Sequence, residues 1–246
     1  MNNVHYKDLK YLVVVNGSWP ERSVTSESDT LKIISENMKK LKLMFPNSSF
    51  LFHTWKKQSN VPLFSIVEDK NDLIIDEEPK FLLEYSPYES LLDPDHVYGN
   101  WYDNMKSFEN RIHRTRTYQH YAFMKSVQGV DLMKFDKVVR TRWDIILSEE
   151  DLQTDLITKT NVVGYHREAF IDFVNNEKFV GLNDLLIVMD PSLIDKTYII
   201  RLENKEGLPA EWGWYQMLLE GKRNATYANA IGGVDLLRHY AKEKYK

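Results

Sequence analysis

Three charged residues alternate within Phe135–Leu147, the segment of the chain that best fits a central β-strand. Arg140, Arg142 and Asp144 lie two positions apart, and β-branched apolar residues precede and follow them. Because strand side chains alternate between faces, the three would share one face and meet at its C-terminal end, where open α/β sheets bind ligands. Arginine forms bidentate bonds with phosphate, and a carboxylate can hold a divalent cation that bridges a diphosphate. The pattern indicates a phosphate site, or alternatively a structural buried ion pair.

A further carboxylate, Asp184, adjoins the apolar segment Leu185–Met189. A buried carboxylate without a partner or a role is costly, so this position favours a function. The loop that begins at Asn16-Gly17, after the first apolar run, is another site candidate. It contains neither a GxGxxG fingerprint nor a P-loop.

Positive charge is concentrated between Lys106 and Lys125, where there are five Lys or Arg residues and one acid. Tyrosines are interspersed with these cations, a mixture that suits phosphate contacts combined with stacking on a base or sugar. The same composition is also typical of a solvated helix face. The candidate contacts to an acceptor or to phosphate are Arg114, Arg116, Tyr118 and Lys125.

Alternating strand and helix patterns must position these residues. Tyr11–Val15 is a continuous apolar run that predicts a buried parallel strand. Ser28–Phe45 repeats apolar residues every three or four positions, as an amphipathic helix does. The other predicted elements are strands at Ser49–His53, Pro62–Val67, Leu73–Ile75, Asn161–Tyr165 and Leu185–Met189, and helices at Trp101–Val127, Pro209–Leu219 and Val234–Lys244. This order predicts an α/β fold with a mostly parallel central sheet flanked by helices, in one domain over residues 1–246.

The composition of the 246-residue chain excludes several classes of site. It has no cysteine, which excludes disulfides, thiolate zinc sites and a cysteine nucleophile, so a metal would need oxygen or imidazole ligands. No segment has the roughly 18 apolar residues of a membrane span, and the N-terminus lacks the apolar segment of a signal peptide, which predicts a cytoplasmic protein. The net charge of −4 gives no overall attraction for nucleic acid.

Four motifs occur in an order that resembles a group of small bacterial and viral glycosyltransferases. An apolar strand ending in Gly17 is followed by His-Thr-Trp at residues 53–55, by Arg-Thr-Tyr-Gln at residues 116–119 and by the segment that ends at Asp144. The proteins of that group have folds that resemble the GT-A fold, and in place of the fourth motif they often have arginine-x-arginine-proline-aspartate. The resemblance covers about Tyr11 to Leu219 and implies a GT-A-like fold with a nucleotide-sugar donor.

The resemblance also implies roles for individual residues. Gly17, Ser18 and Arg22 would lie by the nucleotide of the donor. Asp144 would face a metal ion and the diphosphate.

Two further carboxylates take roles at the acceptor by the same resemblance. Asp184 would lie near the sugar or the acceptor, and Glu211 would be the general base that removes a proton from the acceptor hydroxyl. Glu211 also lies at a predicted helix N-terminus, where a carboxylate complements the helix dipole without any catalytic role.

The sequence departs from the pattern of that group in ways that bear on metal use. Trp143 replaces the proline, Asp144 has no second carboxylate two residues away, and Arg22 is farther from Gly17 than the usual Gly-x-x-Arg spacing. The diphosphate would be neutralised either by Mn²⁺ or Mg²⁺ at Asp144 or, without a cation, by Arg140, Arg142 or the basic segment between Lys106 and Lys125.

The sequence thus predicts a glycosyltransferase that moves a sugar from a nucleotide-sugar donor, with UDP as the expected nucleotide, to a hydroxyl acceptor. The acceptor is either a glycan or a hydroxymethylated base in the DNA of a bacteriophage. The basic segment favours the DNA acceptor, and the acidic net charge disfavours it. The alternative is a non-catalytic nucleotide- or carbohydrate-binding module with the same fold. A dinucleotide-dependent oxidoreductase is disfavoured because the glycine fingerprint is missing.

Overall fold

The structure is a computed structural model that describes residues 4–16, 27–56, 66–67, 69, 72–77, 110–148, 152–166, 172–174, 177–179, 182, 184–204, 214, 218 and 225–236. The strands are β1 (Tyr11–Asn16), β2 (Ser48–Trp55), β3 (Leu73–Asp76), β4 (Lys137–Arg142), β5 (Ile145–Leu147), β6 (Val162–His166), β7 (Asp172–Val174), β8 (Glu177–Phe179), β9 (Leu186–Met189), β10 (Tyr227–Ile231) and β11 (Val234–Leu236). The α-helices are α1 (Glu27–Met44), α2 (Asn110–Val127), α3 (Leu156–Lys159) and α4 (Tyr198–Glu203), and short 3-10 helices occur at Tyr6–Asp8, Leu132–Lys134 and Pro191–Leu193.

Seven of these strands form one sheet in the order β10-β6-β9-β4-β1-β2-β3. All neighbouring pairs are parallel except those of β9, which runs antiparallel to both β4 and β6. Two further pairs, β5 with β11 and β7 with β8, are antiparallel ribbons outside this sheet. The prediction of an α/β fold with a mostly parallel sheet is therefore confirmed.

Helices cover both faces of the sheet, so the central strands are buried on both sides. Tyr11, Val13 and Val15 belong to one apolar cluster, which contains the buried side chains of α1. Leu12 and Val14 belong to the second cluster, which contains the buried side chains of α2 and α4 together with Trp214 and Leu218. The flanking helices predicted from the sequence are confirmed, and the second face is the one on which Arg140 contacts Trp214.

The predicted strand over Phe135–Leu147 is wrong in its continuity. β4 ends at Arg142, a turn at Trp143 and Asp144 follows, and β5 then leaves the main sheet to pair with β11. The physical reason is a competing partner for the backbone of β5: the Asn37 side chain on α1 donates to the carbonyl of Ile145 and accepts from the amide of Leu147. Asp144 is thus a turn residue and does not continue the face of β4.

The helix predicted over Val234–Lys244 is also wrong in its described part, because Val234–Leu236 is strand β11. Gly232 and Gly233 have φ of 92° and 74°, in the left-handed region that favours glycine, and they reverse the chain after β10. The backbone of β11 then finds its hydrogen-bond partners in β5. Ile66 and Val67 are likewise not in a strand, in contrast to the predicted strand at Pro62–Val67, whose other residues lie outside the described ones.

Replacing Gly233 with alanine should lower the free energy of unfolding by about 1–3 kcal/mol. The positive φ strains any side chain, and a Cβ atom would lie 2.7 Å from Cδ1 and 3.0 Å from Cα of Leu152. Urea unfolding measures the change. Gly129→Ala is the matched control, since a Cβ there meets no atom within 4 Å; equal effects of the two substitutions would contradict the prediction.

A polar network fixes the amino edge of the sheet, opposite to the candidate site. The ammonium of Lys137 donates to Asp190 Oδ1 at 2.5 Å and to the carbonyl of Thr160 at 2.8 Å. Asn161 donates to the other oxygen of Asp190 at 2.6 Å and accepts from the amide and the hydroxyl of Thr226. These bonds join the ends of β4, β6, β9 and β10, so they hold the register of the strands that lead to the site.

Among the helices that the structure describes, none combines the length and the apolar content needed to cross a lipid bilayer.

Candidate active site

The candidate site lies at the carboxyl ends of β1 and β4, where the strand order reverses. From β1 the chain proceeds to β2 and β3 on one side, and it returns to β4 on the other. Asn16 and Arg142, the last residues of the two strands, are register partners. Such a switch point leaves a crevice at the carboxyl edge of an open α/β sheet, which is where these folds bind ligands.

Arg140 is the centre of a buried cluster below this edge, called the Arg140 node, which also contains Asn16, Gln119, Trp214 and the main chain of Asp184. Its side chain is 0% exposed, and its guanidinium donates to Asn16 Oδ1 at 3.0 Å, to Gln119 Oε1 at 2.6 Å and to the main-chain carbonyl of Asp184. The guanidinium also lies over the ring of Trp214, 4.9 Å from its centroid. Arg140 therefore ties β1, β4, α2 and the segment before β9 together.

Arg142 and Asp144 form a two-point ion pair at the end of β4. The guanidinium Nε and NH2 donate to the two carboxylate oxygens at 2.7 and 2.8 Å. The side chains are 19% and 21% exposed, so the pair is in reach of solvent and of a ligand. Planar two-point pairing of this kind is the geometry in which arginine also binds phosphate. The guanidinium of Arg142, which is bonded to Asp144 in this structure, could instead bind a diphosphate.

The turn that carries Asp144 is anchored by Trp143. This side chain is 1% exposed, donates from its indole N–H to the carbonyl of His53 at 2.9 Å, and stacks on Phe52 with ring centroids 5.5 Å apart. The strand after the turn is held by Asn37 and by Lys40, whose ammonium donates to the carbonyl of Leu147 at 2.7 Å. Both sides of the turn are therefore fixed by contacts to β2 and α1.

Asp184 is a buried residue whose carboxylate has no partner in the described part of the chain. Its residue is 5% exposed, and its side chain forms no hydrogen bond or ion pair with any residue that the structure describes. Asp184 lies two positions before the start of β9, and Asp144 lies two positions after the end of β4. The β4–β9 pair nearest to both is Thr141 with Leu186. Both carboxylates therefore leave the β4–β9 ladder at the same end. A carboxylate that has no protein partner among the described residues, at the edge where such folds bind ligands, can bind a ligand.

Several predicted site residues lie outside the described residues. They are Gly17, Ser18 and Arg22, which follow β1 in the sequence, and Glu211, which precedes Trp214 by three positions.

The side chains of Arg114, Arg116 and Tyr118 on α2 also lie outside what the structure describes. Lys125, on the same helix, is half-buried and close enough to Asp76 for its charge to act there. Asp76 ends β3 and accepts a 3.0 Å hydrogen bond from Nε2 of His53, which is buried at the end of β2. This bond, followed by the charges of His53 and Lys125, lowers the pKa of Asp76 against the opposing effect of burial.

The lowered pKa of Asp76 makes stability depend on pH on the acid side. Because the unfolded carboxyl binds its proton more tightly than the folded one, this contribution is complete above the unfolded pKa of about 4 and disappears as the pH falls through the folded value. Asp76→Asn should therefore flatten the fall in unfolding free energy below about pH 4. Urea titrations at several pH values test this, with the exposed Asp8→Asn as control. A profile parallel to that of the wild type would contradict it.

The described residues do not assemble a metal site. Among them there is no cluster of three His, Asp or Glu side chains that could hold an ion. Both oxygens of Asp144 accept from Arg142, so a cation there would displace the guanidinium and would need ligands from outside the described residues.

Four residues that support the site were not among the candidate site residues of the sequence: Asn16, Asn37, Gln119 and Trp214. Asn16 had a signal of its own, because it is a polar residue that ends an apolar run. Asn37 had one too, since it lies three residues after Ile34 and four before Leu41 on the apolar face of α1. Nothing in the sequence indicated that Gln119 and Trp214 contact Arg140, because these contacts join residues distant in the sequence.

No protein-family model matches the chain, and no curated protein matches its sequence. Solved structures that it resembles include the galactosyltransferase LgtC in complex with donor and acceptor sugar analogues, at 11% identity and a TM-score of 0.42 over 89% of this chain and 73% of that one. They also include mannose-1-phosphate geranyltransferase from Thermus thermophilus, at 10% identity and a TM-score of 0.44 over 92% and 75% of the chains. A third is a glycosyltransferase involved in glycosylation of the major capsid of PBCV-1, at 8% identity and a TM-score of 0.39 over 96% and 98%. The likeness is distant, and the function proposed below rests on the residues of the site instead.

Proposed function

We propose that the chain is a glycosyltransferase that moves a sugar from a nucleotide-sugar donor to a hydroxyl acceptor. The observation that carries the proposal is Asp184, a buried residue whose carboxylate has no partner among the described residues. It lies at the same end of the β4–β9 ladder as the Arg142–Asp144 pair. One edge of the sheet thus offers a cation for a diphosphate and a carboxylate for a reacting hydroxyl.

In the proposed reaction the donor diphosphate takes the guanidinium of Arg142, and the loop with Gly17, Ser18 and Arg22 binds the nucleotide. The oxygen of the acceptor hydroxyl forms a bond to the anomeric carbon, and the bond from that carbon to the phosphate oxygen breaks. The electron pair leaves on the diphosphate, where Arg142 stabilises the charge, and the hydroxyl proton passes to Asp184 or Glu211. Arg140, which is 0% exposed and holds the main chain at Asp184, takes a supporting role in this proposal and not a contact to the donor.

A thermal-shift panel of nucleoside diphosphates, with UDP as the expected ligand, tests donor binding with and without Mn²⁺. A ligand at one hundred times its dissociation constant should stabilise the protein by about 2.7 kcal/mol. Arg142→Met should remove this stabilisation, whereas Arg201→Met, which removes an exposed arginine on α4, should retain it. If no nucleoside diphosphate stabilises the protein under either condition, the proposal is wrong.

Asp144→Asn separates the two ways of neutralising the diphosphate. Loss of the carboxylate charge weakens the ion pair that engages Arg142, so UDP affinity in EDTA should rise by several-fold if the guanidinium alone binds the diphosphate. If Mn²⁺ or Mg²⁺ at Asp144 is required, the same substitution should instead abolish metal-dependent binding. Isothermal titration of UDP, with and without the metal, distinguishes the two results.

The acceptor is a glycan or, alternatively, a hydroxymethylated base in DNA, which the positive charge between Lys106 and Lys125 favours. Binding to duplex DNA would weaken steeply with salt because phosphate contacts release counterions, and binding to a neutral glycan would not. A non-catalytic module is the remaining alternative, since the Arg142–Asp144 pair is already satisfied within the protein. Hydrolysis or transfer from a UDP-sugar by the wild type, lost in Glu211→Gln or in a variant of Asp184, would exclude it.

A further inference from the structure

A cavity of about 420 Å³ lies on the other face of the sheet, away from the Arg140 node. Its walls come from the C-terminal part of α1, the amino-terminal half of β2 and the segment that leads into β3. The volume is within the range of small-molecule sites, which is about 300–1,000 Å³. Of the residues described at the candidate active site, Phe52, which stacks on Trp143, also lines it.

The floor of the cavity is aromatic. Phe50 and Phe52 share one face of β2, with ring centroids 5.8 Å apart and planes inclined by only 13°. Phe52 is buried and Phe50 is half-buried, so the outer ring keeps surface that an apolar ligand face can cover. Flat aromatic rings of this kind bind ligands that have one apolar face.

The rim of the cavity carries hydrogen-bonding groups of both kinds. The ammonium of Lys42 lies 5.9 Å from the centroid of Phe50, and Asp69 and Asp72 line the same space. Asp69 and Asp72 belong to one turn, in which the amide of Asp72 donates to the carbonyl of Asp69 at 3.1 Å, and the pKa of Asp72 is raised by burial and then by the charge of Asp69. Two carboxylates against one ammonium repel an anion, whereas they accept hydrogen bonds from hydroxyl groups.

The backbone of β2 adds further donors and acceptors at this place. Among the described residues, the pairing of β2 with β3 begins only at Phe52 and Leu73, so the outer edge of Ser48–Leu51 has no β3 partner. Ser48 and Ser49 also line the cavity. An open strand edge beside an aromatic floor offers a ligand with many hydroxyl groups several bonds at once.

The cavity is connected to the candidate active site by a row of rings. Phe50 stacks on Phe52, and Phe52 stacks on Trp143 at a centroid distance of 5.5 Å. Trp143 immediately precedes Asp144 in the turn that ends β4. A ligand on Phe50 therefore lies two ring contacts from Trp143, the residue that anchors the Asp144 turn.

We propose that this cavity is a subsite for a neutral pyranose unit of a glycan, whose apolar face stacks on Phe50 and whose hydroxyl groups bond to Lys42, Asp69 and Asp72. A pyranose presents an apolar C–H face and a rim of hydroxyl groups, and the cavity supplies the complement of each. The inference rests on the proposed function in reading the bound glycan as the acceptor, held at a distance from the site of transfer.

Titration of maltotetraose, cellotetraose and xylotetraose, with binding observed by saturation-transfer NMR, tests the proposal in the absence of any nucleotide. At least one of them should bind the wild type, and Phe50→Ala should weaken that binding by about tenfold, the loss of one aromatic contact. Lys42→Met, a substitution at the rim, should weaken it several-fold. Leu43→Ala is the matched control, because Leu43 is the next residue on α1 and is 65% exposed outside the cavity. Tetragalacturonate, which is anionic, should bind more weakly than the neutral sugars.

The inference is overturned if none of the three neutral sugars binds at millimolar concentration, if both the Phe50 and Lys42 variants bind as the wild type does, or if tetragalacturonate binds most tightly. UDP stabilisation, measured on the same samples, should be unchanged in all three variants. Sugar binding that depends on Phe50 in a protein that no nucleoside diphosphate stabilises would support the subsite and refute the transferase. UDP stabilisation without any sugar binding would refute the subsite and support the transferase.

Discussion

Replacing Asp184 with asparagine should lower kcat for sugar transfer by about 10²–10⁴-fold, the usual contribution of a positioned general base. The free energy of unfolding should be nearly unchanged, because the carboxylate forms no hydrogen bond or ion pair among the described residues that asparagine would lose. Loss of activity without loss of stability is the result that separates a catalytic role from a structural one. Steady-state kinetics and urea unfolding of the same preparation measure both.

Asp190→Asn is the matched control for that experiment. Asp190 is also a partly buried aspartate next to β9, but it accepts from Lys137 and Asn161 at the opposite edge of the sheet. Its substitution should lower stability and leave kcat nearly unchanged, the inverse of the Asp184 result. If Asp184→Asn retains full activity, the base is Glu211 or the transferase proposal fails, and Glu211→Gln decides between these.

Arg140→Met should lower the free energy of unfolding by about 3 kcal/mol or more, because each buried acceptor left without a donor costs about 1–3 kcal/mol. The three acceptors that lose their donor are Asn16 Oδ1, Gln119 Oε1 and the carbonyl of Asp184. Arg140→Lys keeps the charge but cannot form the same fork, so it should recover only part of the loss. The midpoint of urea unfolding at unchanged slope measures the effect.

The exposed Arg201→Met should change stability by no more than about 0.5 kcal/mol and is the control. Another outcome would support the phosphate-binding role that the sequence pattern indicated for Arg140. If Arg140→Met were as stable as the wild type but no longer bound UDP, the guanidinium would be a contact to the diphosphate and not a support for the strand ends.

The first half of the sheet could be predicted closely from the sequence. β1, α1 and β2 fall within a few residues of their predicted bounds, because a continuous apolar run and a regular helical repeat are local signals. Asp184 was singled out because a carboxylate beside an apolar run is costly wherever it is buried, which is also a local argument. The prediction of its burial is confirmed, and its catalytic role stays a prediction.

The rest depended on contacts between residues distant in the sequence. The break after Arg142 follows from Asn37, and no property of the segment itself indicates that its backbone has this second partner. Arg140 and Arg142 look alike in the sequence, yet one is enclosed by three acceptors and the other is paired at the surface. The strand at Val234–Leu236 has an apolar pattern that suits a helix equally well, and only pairing with β5 decides between them.

That pairing has a consequence for the synthesis of the protein. The turn with Asp144 is followed by β5, whose partner strand, Val234–Leu236, is made long after Ile145–Leu147 has left the ribosome. Until then β5 exposes unpaired backbone groups along one edge, and contacts of such high sequence separation form slowly. A nascent chain that stops before Val234 therefore lacks the partner strand of β5, so the segment that follows the Asp144 turn is paired only after Val234–Leu236 has been synthesised.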